Sequence, residues 1–257
     1  VATSLSRTIS VQPNYSSSLW PLKHKTVVLS GASRGIGAAI AIRLAREGAR
    51  VCILARTMGN SESRGTALYV EHLIRAAGGQ AMAVKTDLCK ESDIKEAVLK
   101  IVGRFGGIDV LVHNASALWP VKTPELDMRR FMRMYQTCIR GMMLLTRHCL
   151  EWLVRSACPR ILSVAPVGVQ DPEWLEPHVQ YSTCKIAMGC LASALQARFP
   201  AIPCPTLWPE HTVATQAVFH TYGKEAVRRS FTVASMADAA CLLLSSPPAE
   251  QHHLDIS

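Results

Sequence analysis

From Lys25 onward, short apolar and β-branched runs alternate without interruption with stretches long and amphipathic enough for helices. Thr26–Ser30, Val51–Ala55, Met82–Val84, Asp109–His113, Ile161–Ala165 and Ile202–Leu207 read as strands, with a terminal one around Leu254. Helices are predicted from a glycine turn to near Gly48, over Leu68–Ala77, Ile94–Phe105, about Glu125 to Val154, Tyr181–Arg198 and Met236–Leu244. Ser92 is placed to cap the third of these, in which Ile94, Val98, Ile101 and Val102 share a face. Strands that are apolar at nearly every position are covered on both sides, and helix-length connections let neighbouring strands run parallel. The expected fold is α/β, a doubly wound parallel sheet in three αβα layers. A chain of 257 residues suits one such domain.

The turn after the first strand reads Ser30-Gly31-Ala32-Ser33-Arg34-Gly35-Ile36-Gly37. Residues without Cβ let backbone approach a pyrophosphate and meet a helix N-terminus, whose N–H groups and dipole favour anions. Placed between the first strand and the first helix, these glycines point to a dinucleotide site, and with it to a sheet of Rossmann type. A site selective for NAD places an acid about 20 residues past the glycines, against the ribose hydroxyl. Here the second strand ends in Arg56, and Arg34 lies within the turn. Two guanidinium groups suit a 2′-phosphate, so the expected cofactor is NADP.

The spacing G-x-x-x-G-x-G resembles that of the short-chain dehydrogenase/reductase family, and the resemblance runs over about residues 25–257. Asp87 follows the third strand, His113-Asn114-Ala115-Ser116 stands where the family usually has N-N-A-G, and Tyr181-Ser182-Thr183-Cys184-Lys185 matches Y-x-x-x-K. Phe105-Gly106-Gly107-Ile108-Asp109, Arg140-Gly141 and Leu207-Trp208-Pro209 look most like the hydroxysteroid dehydrogenase-like protein 2 branch. The expectation is a chain without the sterol-carrier domain that this branch often carries. The resemblance implies cofactor contacts from Gly31, Ser33, Arg34, Gly35, Ile36, Gly37, Arg56, Asp87, Asn114, Tyr181 and Lys185, with Asp87 near the adenine. It also implies catalysis by Tyr181 as acid-base group and Lys185 as modulator of its pKa. A phenol titrates near 10, and a neighbouring ammonium would lower that value toward the working range.

Two functions of the family's catalytic set look lost. The carbonyl-polarising serine lies at the end of the fifth strand, where this chain has Ala165 and Pro166, with Ser163 too far back to substitute. Counting back from Arg140-Gly141, the asparagine that anchors a relay water aligns with Cys138, and a thiol is a weak donor. Asp171, Trp174 and His178 precede Tyr181 and are the residues placed to compensate. Residues 210–232 are the expected substrate-side flap, with Thr215 toward the carboxamide end of the cofactor.

The chain carries 28 basic and 19 acidic side chains, but six of the basic ones and none of the acidic ones fall in residues 1–46. The basicity therefore belongs to one end, which excludes a nucleic-acid face over the whole surface. Residues 1–24 read as a Ser-rich basic arm, either the remnant of an organelle transit sequence or an extension that binds a partner. Mitochondrial placement follows from the first reading, with cytoplasmic or peroxisomal placement as the alternative. Nine cysteines without C-x-x-C spacing read as reduced thiols, and the isolated His252-His253 does not make a metal site. No apolar run is long enough to span a membrane. The Met- and Arg-rich stretch 128–143 reads as core plus oligomer contact. Two functions compete at this point. One is an NADP-dependent oxidoreductase acting on a carbonyl or secondary alcohol, weakened by its missing groups. The other is a degraded member serving as a structural or cofactor-sensing subunit of a larger assembly.

Overall fold

The structure, a computed structural model, describes residues 22–116, 119, 121, 123–166, 178–247 and 254–256. The arm up to residue 21, Asp171, Trp174 and His252-His253 lie outside the described residues. Five strands, β1 (Thr26–Ser30), β2 (Arg50–Ala55), β3 (Gln80–Lys85), β4 (Val110–His113) and β5 (Arg160–Ser163), pair in parallel in the order β3-β2-β1-β4-β5. The chain builds outward from β1 on one side and then crosses over to build on the other. That leaves a switch point between β1 and β4, where ligands of such sheets bind beyond the carboxyl ends.

Side chains alternate across the strands, and the two sets enter different cores. Val27, Leu29, Val51, Ile53, Val110 and Val112 pack with helices α1 (Gly35–Arg46), α2 (Ala67–Ala76) and α8 (Val233–Ser245). Leu22 already belongs to this core, and its carbonyl accepts from the Lys25 N–H at 3.0 Å. Val28, Cys52, Leu54, Leu111 and Ile161 pack on the other face with α3 (Glu91–Phe105), α5 (Gly141–Arg155) and α6 (Val179–Arg198). The expected three-layer αβα sheet is what the chain forms. All nine cysteines are free thiols, seven of them buried.

Three local expectations are corrected. Ser92 does not cap α3, which begins one residue earlier, at Glu91. Asp87 organises its entry instead: its carboxylate accepts from the Cys89 N–H at 3.1 Å, and Asp93 accepts from the Asp87 N–H at 3.0 Å. The long helix expected over 125–154 is divided into α4 (Met128–Tyr135), a π turn (Gln136–Arg140) and α5. It starts where Asp127 accepts from the Arg129 N–H at 2.9 Å. Hydropathy period does not announce a π turn, since no Gly or Pro interrupts residues 128–140.

The sixth strand is the third correction. The stretch 202–207 does lie beside β5, whose Ile161, Ser163 and Ala165 N–H groups donate to Pro203, Pro205 and Leu207 at 3.0, 3.1 and 3.1 Å. Pro203 and Pro205 have no N–H to return, so the regular ladder fails there. A parallel bridge between Ser163 and Thr206 leads into β6 (Leu207–Pro209), which runs parallel to β7 (Leu254–Ile256). Between them lies α7 (Gln216–Arg228), within the expected flap.

Candidate active site

The turn from β1 to α1 is shaped by contacts that exclude side chains. A Cβ on Gly31 would lie 2.7 Å from the Ala115 Cα, and one on Gly37 would overlap the Asn114 amide nitrogen and the Gly31 carbonyl. Asn114 is therefore held tightly: its Nδ2 donates to the Ser30 and Gly31 carbonyls at 3.0 and 3.1 Å, and its N–H donates to the Ser30 hydroxyl at 3.1 Å. Ser30 in turn donates to the Val112 carbonyl at 3.2 Å, tying β1 to β4 at the switch point. No side chain caps the start of α1 and no acid lies in its first turn, so its first N–H groups are left for an anion. Ile36 packs on the core, Arg34 is exposed and Ser33 is half-buried. Thr215 covers the turn from the flap, its methyl 3.4 Å from a Cβ built on Gly35, but its hydroxyl is taken up in capping α7.

Gly37→Ala forces the Asn114 amide out of this arrangement. It is expected to cost about 1–3 kcal/mol, the usual range for overpacking a close contact, and to remove any stabilisation by a dinucleotide. Urea unfolding with and without cofactor measures both, and a variant as stable and as responsive as wild type would show the amide free to move.

Asp87 and Arg56 meet at the carboxyl ends of β2 and β3. Burial raises the Asp87 pKa, but hydrogen bonds from Cys89 and the charges of Arg133 and Arg56 outweigh it and hold the carboxyl below its usual range. One Asp87 oxygen accepts from Arg133 of α4 at 3.0 Å. Asp87 thus serves first as a turn former, at the place where the resemblance implied an adenine contact. Arg56 is exposed beside it.

Tyr181 and Lys185 sit one turn apart at the start of α6. Lys185 is buried, and its Nζ donates to the Val164 carbonyl at 2.8 Å. It lies between two rings, 5.7 Å from the Trp208 centroid and 6.0 Å from that of Tyr181. Burial pushes the ammonium's pKa down, against Cys138 and Cys184, which act to raise it. For Tyr181, burial pushes the phenol well above its ordinary range, Cys138 and Tyr222 add to that, and a hydrogen bond with Ser116 opposes it. The expected lowering by Lys185 is therefore not what this arrangement gives by itself. It keeps the phenol protonated, the form that donates to a carbonyl oxygen.

The two positions expected to lack the family's groups have apolar surroundings. Ala165 and Pro166 are buried, and Ala165 packs in one apolar cluster with Cys138, Cys184 and Tyr181. Ser163 has no exposure, and its hydroxyl has no hydrogen-bond partner among the described residues. Cys138, the residue aligned with the asparagine, lies buried in the π turn, and its thiol hydrogen-bonds with Cys184. His178 is hydrogen-bonded to Tyr222 of α7, their ring centroids 5.7 Å apart, which fastens the flap over Tyr181.

Several site residues escaped the sequence reading. Gln180 is buried beside the tyrosine and donates to the Trp119 and Val121 carbonyls at 2.8 and 3.2 Å, anchoring that segment. Trp208, Tyr222, Ser30 and Ser116 carry no spacing signal, because each reaches the site from a different element. Only the positions of Ser30 and Ser116, at the ends of the two central strands, gave a hint.

The short chain dehydrogenase family model matches residues 25–201. A hydroxysteroid dehydrogenase-like protein 2 from Xenopus tropicalis is 36% identical over 224 residues, which are 86% of this chain and 54% of that protein. The chain thus spans about half the length of the curated relatives it matches. A solved short chain dehydrogenase from Mycobacterium thermoresistibile superposes with TM-score 0.82 at 35% identity, over 91% of this chain and 85% of its own. One from Burkholderia cenocepacia, solved in complex with NADP, has TM-score 0.79 at 23% identity, over 92% and 98%.

Proposed function

The chain belongs to the short chain dehydrogenase family, and from that premise we propose that it is an NADP-dependent oxidoreductase acting on a carbonyl or secondary alcohol. The observation that carries this reading is the convergence of a protonated, partly buried Tyr181, the Lys185 one turn on and the uncapped start of α1 at one end of the sheet. The turn and its glycines fit a pyrophosphate, and the exposed Arg34 and Arg56 fit a 2′-phosphate. Bound there, the reduced nicotinamide would supply a hydride. Tyr181 would give its proton to the carbonyl oxygen, Lys185 would hold the ribose and the new phenolate by its charge, and the flap fastened at His178 would lie beside the phenol. Without the β5 serine and with Cys138 in place of asparagine, the chemistry would run slowly. Loss of one oxyanion donor costs on the order of 10²–10³ in rate.

NADPH is expected to raise the melting temperature of the purified protein by several degrees more than NADH, and Arg56→Asp to narrow or invert that difference. Equal stabilisation by both cofactors would remove the 2′-phosphate argument, and stabilisation by neither would remove the site. A second reading draws on the apolar surroundings of Ala165 and Cys138: a cofactor-binding subunit of a larger assembly, with the arm as its partner contact. Stabilisation by NADPH without turnover of any carbonyl, together with migration of the native protein in a large complex, favours that second reading. A homodimer or homotetramer with turnover favours the first.

A further inference from the structure

We propose that Ser116 is a catalytic hydroxyl, standing in for the absent serine of β5 and donating to the substrate carbonyl oxygen beside Tyr181. The inference rests on the oxidoreductase reading above and adds a residue to it.

Strand register carries the argument. β4 and β5 run parallel with His113 level with Ser163, and the Val164 N–H continues the ladder by donating to the His113 carbonyl at 2.9 Å. Ser116 follows His113 by three residues, and Pro166 follows Ser163 by three. Both positions therefore lie just beyond the carboxyl ends of adjacent strands, which run roughly 4.8 Å apart where they pair. A hydroxyl lost from the end of β5 is thus restored one strand over, within the same crevice.

The surroundings of Ser116 fit that role. Its side chain is exposed, whereas Ser163 has no exposure and Ala165 and Pro166 have no hydroxyl. It hydrogen-bonds the Tyr181 phenol. Its backbone is fixed from the N-terminal side, because the N–H groups of Asn114 and Ala115 both donate to the Ser30 hydroxyl, at 3.1 and 3.2 Å. A donor held this way needs little reorganisation when charge develops, which is the condition for electrostatic catalysis. In reduction the carbonyl carbon accepts the hydride while its oxygen takes the Tyr181 proton. The Ser116 O–H donates to that oxygen as charge builds, then to the phenolate once the proton has left. The phenolate is reprotonated by water reaching the exposed Ser116, so alcohol, oxidised cofactor and hydroxide balance the step. Among the described residues, Cys138, Tyr222 and Lys185 also face the phenol, from the π turn, α7 and α6, and none of them comes from the segment that follows β4.

The test uses the full chain with NADP(H) and a panel of aliphatic and aromatic ketones and aldehydes. Ser116→Ala is expected to lower kcat about 10²-fold with little change in KM, Ser116→Thr to retain activity, and Ala165→Ser in the Ser116→Ala background to restore most of it. The second readout needs no turnover: the ultraviolet tyrosinate band of the NADP+ complex, assigned by its loss in Tyr181→Phe. Ser116→Ala should move that ionisation up by about one pH unit, and Ser116→Thr should not. A band that titrates at the same pH in wild type and Ser116→Ala, or an unchanged kcat in Ser116→Ala, overturns the proposal. A moved band in a protein that reduces no carbonyl supports the Ser116–Tyr181 contact and sinks the oxidoreductase reading instead.

Discussion

Ala165→Ser combined with Cys138→Asn is expected to raise turnover of a carbonyl substrate about 10²-fold, and Tyr181→Phe in that background to erase the gain. The two positions already frame the phenol: both belong to the apolar cluster that Tyr181 packs against, and both are buried. A hydroxyl at 165 adds a donor where charge develops, and an amide at 138 replaces a thiol now spent on Cys184. The gain is set at the lower end of the range for an oxyanion donor because Ser116 already offers one hydroxyl. The two changes are also expected to be less than multiplicative, since both act on one oxygen. Steady-state kinetics of the single, double and triple variants measures this. A double variant no faster than wild type would show that the chemistry is limited elsewhere, and one that stays fast as Tyr181→Phe would remove the tyrosine from it.

His113→Asn is expected to flatten the loss of stability in acid. His113 is buried in the sheet, its Nε2 within 2.8 Å of the Thr146 hydroxyl, and burial pushes its pKa down from 6.5 to about 3. Between those values the unfolded chain binds a proton that the folded one refuses. Stability contributed by the neutral ring is therefore complete above about pH 6.5 and falls with pH below it, by up to about 1.4 kcal/mol per unit. Urea unfolding at pH 7 and pH 5 should show wild type losing roughly 2 kcal/mol more than the asparagine variant over that interval. A constant offset between the proteins is expected from repacking and does not bear on the slope. Parallel pH dependences would mean that the ring titrates within the folded state.

Much of this could be read from the chain, for reasons that differ by residue. Strands such as Val27–Leu29 and Val51–Leu54 are apolar at every position because both faces are covered, and that alone implies parallel order and helical crossovers. The glycine turn was legible because a backbone approach of the kind seen between Gly31 and Ala115 leaves only one residue type. Tyr181 and Lys185 lie on one helix, so their spacing already encodes their proximity. The rest was not legible because it is made by tertiary contact. The pairing of β4 with β5, the π turn that turns Cys138 inward and the bond from His178 to Tyr222 all depend on elements far apart in sequence. Asp87 marks the boundary between the two cases. Its place after β3 was evident, but its engagement with Cys89 and Arg133 was not.

The alternating prolines after Ile202 give the sheet a seam. On the β5 side the amides donate, Pro203 and Pro205 return nothing, and the pairing narrows to a bridge between Ser163 and Thr206. The five-stranded sheet that carries the glycine turn lies on one side of this seam, and the strand carrying Trp208 lies on the other. Lys185 sits across the seam, bonded to the Val164 carbonyl on one side and faced by the Trp208 ring on the other. The turn proposed to hold the nucleotide and the ring that faces the lysine thus belong to separately bonded parts of the molecule.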